Sequence, residues 1–146
     1  MRIIVQRVTK AAVDSGGEKI AFIENGFLLL VGIDRDDTPN IIEKMAKKIS
    51  ALRVFEDTAG KMNLSLSQVK GKVLSVPQFT LLANTSKGTR PGFDNAAKPA
   101  KAEDLWKSFN IALQKMEIPV LEGKFGAHMF VSIVNDGPVT FVIDLK

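Results

Sequence analysis

Cysteine is absent from the 146 residues. That excludes disulfide staples and thiolate chemistry, and it fits a reducing cytosol, so a cytoplasmic location is expected. Histidine occurs once, as His128, so no His/Cys cluster exists to hold a structural zinc, and neither a metal nor a cofactor is expected. No window approaches ~18 consecutive apolar residues, which argues against a membrane partner. The opening "MRIIVQRVTK" has no long apolar core before its next charge and is not expected to act as a signal peptide.

What is present is ordinary for a globular chain: 45% hydrophobic and 25% charged residues. The length predicts one domain over 1–146, large enough to bury a core without staples. Net charge is +4 and the pI about 9.4, which is compatible with a nucleic-acid partner. "RIIVQRVTKAAV", "IAFI" and "FLLLVGI" read as strands, the last buried on both faces. Thr38 followed by Pro39 reads as a helix N-cap with proline at the first helical position. Ile42, Met45, Ala46, Ile49 and Leu52 then recur at helical spacing. "RVFED" predicts a short strand, with Glu56 and Asp57 solvated at the turn after it. "KVLSVPQFTLLAN" predicts a long strand made irregular by Pro77. Asn84 to Ala102 reads as loop. A second amphipathic helix follows, carrying Leu105, Phe109, Ala112, Leu113 and Met116, and then strand, "NDGP" corner and strand. The pattern implies an α/β layered domain with mixed strand directions and two main amphipathic helices.

Three stretches could carry chemistry. In "PQFTLL" the break at Pro77 could free the amides of Gln78, Phe79 or Thr80 to face a developing oxyanion; the alternative is a core strand with Gln78 and Thr80 on its wet side. In "TSKGTRPGF", Lys87 and Arg90 accompany Gly88 and Gly92, which allow close backbone approach to a ligand, with Lys98 and Lys101 beyond. They read as a phosphate-binding rim on a nucleic acid or as a solvated loop. In "NDGPVTF" the Asp-Gly pair signals a hairpin turn, while Gly137-Pro138 as a cis peptide would present two carbonyls suited to an ammonium group. No Ser-His-Asp arrangement is evident, and His128 reads as a structural or surface residue.

These stretches coincide with one family. "IVQRVTKAAV", "GFLLLVGIDRDD", "GKMNLSL", "PQFTLLANTSKGTRPGF" and "FGAHMFVSIVNDGPVTF" together resemble the D-aminoacyl-tRNA (D-Tyr-tRNA) deacylases nearly end to end. The resemblance implies mixed β-sheets forming a barrel-like core. It also implies a homodimer with active sites at the subunit interface, tRNA as partner, and hydrolysis of the ester between a D-amino acid and the terminal adenosine. Glycine could be accepted as well. Gly137 and Pro138 of one subunit would reach, as a cis peptide, into the other's pocket and exclude L side chains by bulk. Arg7 would brace that corner, and Phe93, Met129 and Phe79 would wall the adenine. The amides near Gln78 and Phe79 would hold the oxyanion. Thr80 would support rather than attack, because a lone hydroxyl needs a base; water would attack, aided by the substrate's 2′-hydroxyl. Two positions depart from the family pattern. Pro77 replaces a usual serine, which bears on substrate breadth, and Gly92 replaces another, which would loosen the rim. The alternative function is a basic RNA-binding dimer without catalysis.

Overall fold

Alternating and β-branched residues give a long first strand, β1 (Arg2–Ser15), and everything else is organised around it. β2 (Glu18–Ile23) turns back along its second half and β3 (Gly26–Gly32) pairs antiparallel with its first half. The opposite edge of β1 is occupied along nearly its whole length by β8 (Phe130–Asp144), again antiparallel. β3 continues in parallel to β6 (Lys72–Pro77), and β6 in parallel to β7 (Val120–Glu122). These six strands curl into one mixed, barrel-like sheet, as the family resemblance implies. β4 (Arg53–Glu56) and β5 (Met62–Ser65) form a separate hairpin. This computed structural model describes residues 1–86 and 88–146.

Strand alternation divides the apolar residues between two cores. Ile3 and Val5 of β1, Phe27, Leu29 and Val31 of β3, and Val73 of β6 face the helices. Val8, Ala11, Val13, Leu28, Leu74 and Val76 fill the barrel. As predicted, β3 is covered on both faces. Helix α1 (Pro39–Ser50) starts after Thr38 with proline in its first turn and buries Ile42, Met45, Ala46 and Ile49. Each large side chain so buried stabilises the fold by about 1.5–3 kcal/mol. Leu52 is only half-buried, and the Thr38 side chain makes no capping bond. Helix α2 (Pro99–Gln114) buries Leu105, Trp106, Phe109 and Leu113 against the same core. It begins three residues before the predicted loop ends, because Pro99 suits the first helical turn, where no amide is needed.

Two further expectations are corrected. The strand through Pro77 stops there: Phe79–Leu82 is a 3-10 turn, which buries Leu82. Pro77 has no N–H to extend the ladder, and its rung with Val31 is the last between β3 and β6. The "NDGP" corner does not reverse the chain, since β8 stays alongside β1 before and after it.

Arg2 fastens the two ends of the sheet. Its Nε donates to Asp144 Oδ1 at 2.7 Å, Nη2 donates to Oδ2 at 3.2 Å, and Nη1 donates to the Leu81 carbonyl at 3.0 Å. The hydrogen bond from Arg2 holds the Asp144 carboxyl below its ordinary range. A depressed folded-state value stabilises the fold above the unfolded carboxylate pKa of about 3.9, and that contribution is lost as pH falls through the folded value. Both side chains are substantially exposed, at 41% and 50%, so the pair is screened; its contribution is below about 1 kcal/mol. Asp144→Asn is therefore expected to lower the melting temperature slightly at neutral pH. The difference from wild type should shrink in thermal melts as pH falls through the folded value of the carboxyl.

Candidate active site

A cleft of about 630 Å³ opens where β6 runs into the 3-10 turn. That is the size of a small-ligand site. Val31, Val76 and Pro77 contribute from the sheet, and Lys98, Pro99, Ala102 and Trp106 from the start of α2. Phe125 to Met129, the loop before β8, closes another side. The Trp106 wall is held by its indole Nε1, which donates to buried Ser75 Oγ at 2.8 Å. Met129 is fixed too: its Sδ accepts the Lys124 amide at 3.2 Å and would lie 2.9 Å from any Cβ at Gly123. Phe79 and Phe93 meet edge to face, with centroids 5.0 Å apart, and Phe79 remains 57% exposed.

The amides at the break in β6 are not equivalent. That of Gln78 is engaged, donating to the Val31 carbonyl at 2.7 Å, which corrects the expectation that it would be free. Once Pro77 ends the ladder, Val31 O takes the next N–H along the chain. The amides of Phe79 and Thr80 open the 3-10 turn and have no acceptor among the described residues. The first amides of a helical turn have no partner within it. The Thr80 hydroxyl accepts a hydrogen bond from Gln78 Nε2.

Gly137 and Pro138 lie within β8, exposed and joined by a cis peptide bond. Asn135 pairs with Val8 and Thr140 with Gln6, so four residues of β8 (Asp136, Gly137, Pro138, Val139) stand opposite one residue of β1, Arg7. The surplus chain is an excursion out of a continuous strand, an extended form of β-bulge. Gly137 has φ +140°, and a Cβ there would meet Val139 Cγ2 at 2.5 Å and Val139 N at 2.8 Å. Arg7, only 3% exposed, lies beneath. Its Nε donates to the Asp136 carbonyl at 3.0 Å and Nη1 to the Val54 carbonyl of β4 at 2.7 Å. The carboxylates of Asp136 and Glu56 approach the guanidinium at 3.4 Å and 3.6 Å. Glu56 is exposed, as predicted, but it is also paired.

The structure thus brings Gln78, Phe79, Phe93 and Met129 to one cleft. Thr80 lies next to it without lining it, and Arg7, Gly137 and Pro138 form a second group on β1 and β8. Arg90 is exposed on a loop whose ends are paired by reciprocal Asn84 and Gly92 bonds of 2.8 and 2.9 Å. Lys87 lies outside the described residues. His128, read as a structural or surface residue, is exposed but also lines the cleft, its ring 5.0 Å edge to face from Phe130. Asn135 went unremarked in the sequence because its role depends on partners four and five residues away.

Unpaired amides beside an apolar, aromatic-walled cleft suit hydrolysis by positioning and oxyanion stabilisation. The chain belongs to the D-Tyr-tRNA(Tyr) deacylase family, whose model matches residues 4–144. It is 50% identical to a D-aminoacyl-tRNA deacylase of Lactobacillus gasseri over 99% of this chain and 100% of that one. It is 51% identical to one of Lactobacillus acidophilus with the same coverage, and 49% identical to one of Geotalea daltonii over 99% and 96%. Among solved structures, the c-Myc DNA Unwinding Element Binding Protein superposes with a TM-score of 0.94 at 43% identity, covering 100% of this chain and 99% of that one. A probable eukaryotic D-amino acid tRNA deacylase shares the fold at TM-score 0.82 and 16% identity, covering 99% and 98%. No helix among the described residues is long and apolar enough to cross a membrane.

Proposed function

We propose that this chain is a D-aminoacyl-tRNA deacylase, a hydrolase that removes D-amino acids from the terminal adenosine of tRNA. The observation that carries the chemistry is the pair of amides, Phe79 and Thr80, beside the cleft and unpartnered among the described residues. Water adds to the ester carbonyl carbon, and the carbonyl oxygen becomes an oxyanion facing those amides. Collapse breaks the bond to the ribose oxygen, which leaves with a proton, and the free amino acid and tRNA are released. The substrate's 2′-hydroxyl assists the attacking water. Phe79, Phe93 and Met129 hold the adenine, and Thr80 steadies the turn through Gln78. Arg90, exposed on its loop, contacts phosphate.

The enzyme works as a homodimer of single-domain subunits, and each cleft receives the Gly137-Pro138 corner of its partner. The exposed side of β8 supports this reading. Among the described residues the strand pairs with β1 alone, and Phe130 (68% exposed), Val131, Ile133 and Val134 present apolar surface beside the corner. An unpaired strand edge and an apolar patch of this kind invite association. The corner carbonyls hold the α-ammonium, and the bulk of the corner excludes an L side chain.

Deacylation of matched D- and L-aminoacyl-tRNA by the purified protein tests the reading. Rapid release from the D-ester alone is expected, and turnover per chain should fall when the protein is diluted until monomeric. Equal rates for both enantiomers would refute the gate. Binding without ester loss would instead favour the non-catalytic RNA-binding module.

A further inference from the structure

An excursion of four residues opposite one would ordinarily leave its neck held by nothing but the flanking ladder. Here a side chain closes it. Asn135 Oδ1 accepts the Val139 amide at 2.7 Å, while Nδ2 donates to the Val139 carbonyl at 3.3 Å and to Thr140 Oγ1 at 3.1 Å. The primary amide acts as a substitute peptide unit across the gap, offering an acceptor to the N–H and a donor to the C=O of the same residue. Only one orientation of the amide satisfies all three contacts. Gln6 Nε2 reaches the same Thr140 hydroxyl at 3.5 Å from β1. Val139 is itself buried, 6% exposed, so its amide and carbonyl have little access to water as an alternative partner.

We propose that Asn135 is a positioning residue for stereochemical discrimination: its side-chain amide clasps the neck of the Asp136–Val139 excursion and so sets where Gly137 and Pro138 project. The inference rests on the gating role assigned to that corner above. Arg7 holds the excursion from inside the sheet, by the Asp136 carbonyl, and Asn135 ties its two ends together. Loss of the clasp lets the tip wander by the slack of four residues. The carbonyls then grip the ammonium less well and the bulk no longer excludes an L substituent, so the two enantiomeric esters converge.

The variants Asn135→Ala and Asn135→Asp test this in the full-length protein. The aspartate keeps an acceptor for the Val139 amide but has no donor for its carbonyl or for Thr140. Two quantities are read: the ratio of kcat/KM for D- over L-aminoacyl-tRNA, and hydrogen exchange at the Val139 amide. In Asn135→Ala the ratio is expected to fall roughly tenfold and the Val139 amide to exchange faster. In Asn135→Asp the ratio should fall while protection of that amide is largely retained. Should the alanine variant not fold, Thr140→Val, which removes only the hydroxyl acceptor, is expected to lower the ratio by a smaller factor. Unchanged D/L ratios in the variants that fold would overturn the proposal. If wild-type protein itself shows no preference between enantiomers, the gating role fails. The exchange rate at Val139 then still shows whether the clasp exists, and an unaltered rate in Asn135→Ala would overturn that as well.

Discussion

Replacing Arg7 with methionine is expected to lower the melting temperature by several degrees and, at the same time, to erase most of the preference for D-esters. Methionine retains much of the aliphatic stem, so packing changes little. What disappears is the fork that donates to the Asp136 and Val54 carbonyls. A buried carbonyl left without its donor costs about 1–3 kcal/mol. The Glu56 and Asp136 carboxylates are about half exposed and return to water when the guanidinium goes, so they add little. A net loss of about 2–3 kcal/mol corresponds to roughly 6–10 °C in a domain of this size. Under the gating reading the functional effect is separate, because β4 and the corner are then no longer joined through one side chain. Kinetics on both enantiomers, run well below the lowered melting temperature, distinguish the two effects. A folded Arg7→Met protein with wild-type discrimination would show that the corner does not depend on this brace.

Gly26→Ala is expected to be more damaging still, through backbone alone. A Cβ at Gly26 would lie 1.9 Å from the carbonyl oxygen of Lys72, 2.7 Å from its nitrogen and 2.8 Å from its carbonyl carbon. None of these atoms belongs to a flexible side chain that could swing away. Gly26 and Lys72 form the first rung of the parallel pairing between β3 and β6, and Gly26 has φ +155°, a region alanine avoids. The strands would have to part where the pairing starts, and β6 leads directly into the Phe79 and Thr80 turn. A loss of at least about 3 kcal/mol is expected, read as a lower denaturant midpoint. Gly60→Ala is the control: φ is +71° there too, but nothing lies within 4 Å of the added carbon. It should cost only about 1–2 kcal/mol, the strain of a left-handed alanine. Equal effects at the two positions would mean that the close approach of β3 and β6 is not limiting.

The parts of the fold that were legible are those whose signal is local. β1 and β3 carry dense β-branched or continuous apolar runs, and α1 shows a stripe long enough to declare its period. β5 and β7 were not legible. At four and three residues, with half-buried or exposed side chains, they are strands only because a neighbour offers a ladder. The candidate site divides the same way. That Pro77 would break the pairing can be read from proline's missing N–H, but which amide is then left over depends on where Val31 O lies across the sheet. An Asp-Gly-Pro run announces a departure from extended chain. Whether the chain comes back on itself or carries on is decided by its register with β1, more than a hundred residues away in sequence.

The excursion at Asp136–Val139 leaves β1 at Val8 and rejoins it at Gln6, so both of its feet stand on one unbroken strand. Nothing in that arrangement behaves as a hinge. To swing the tip, the molecule would have to break the Asn135 clasp or the Arg7 brace, because no flexible stalk separates the tip from the scaffold. A projection built this way works as a fixed gauge, and whatever is presented to it must do the fitting.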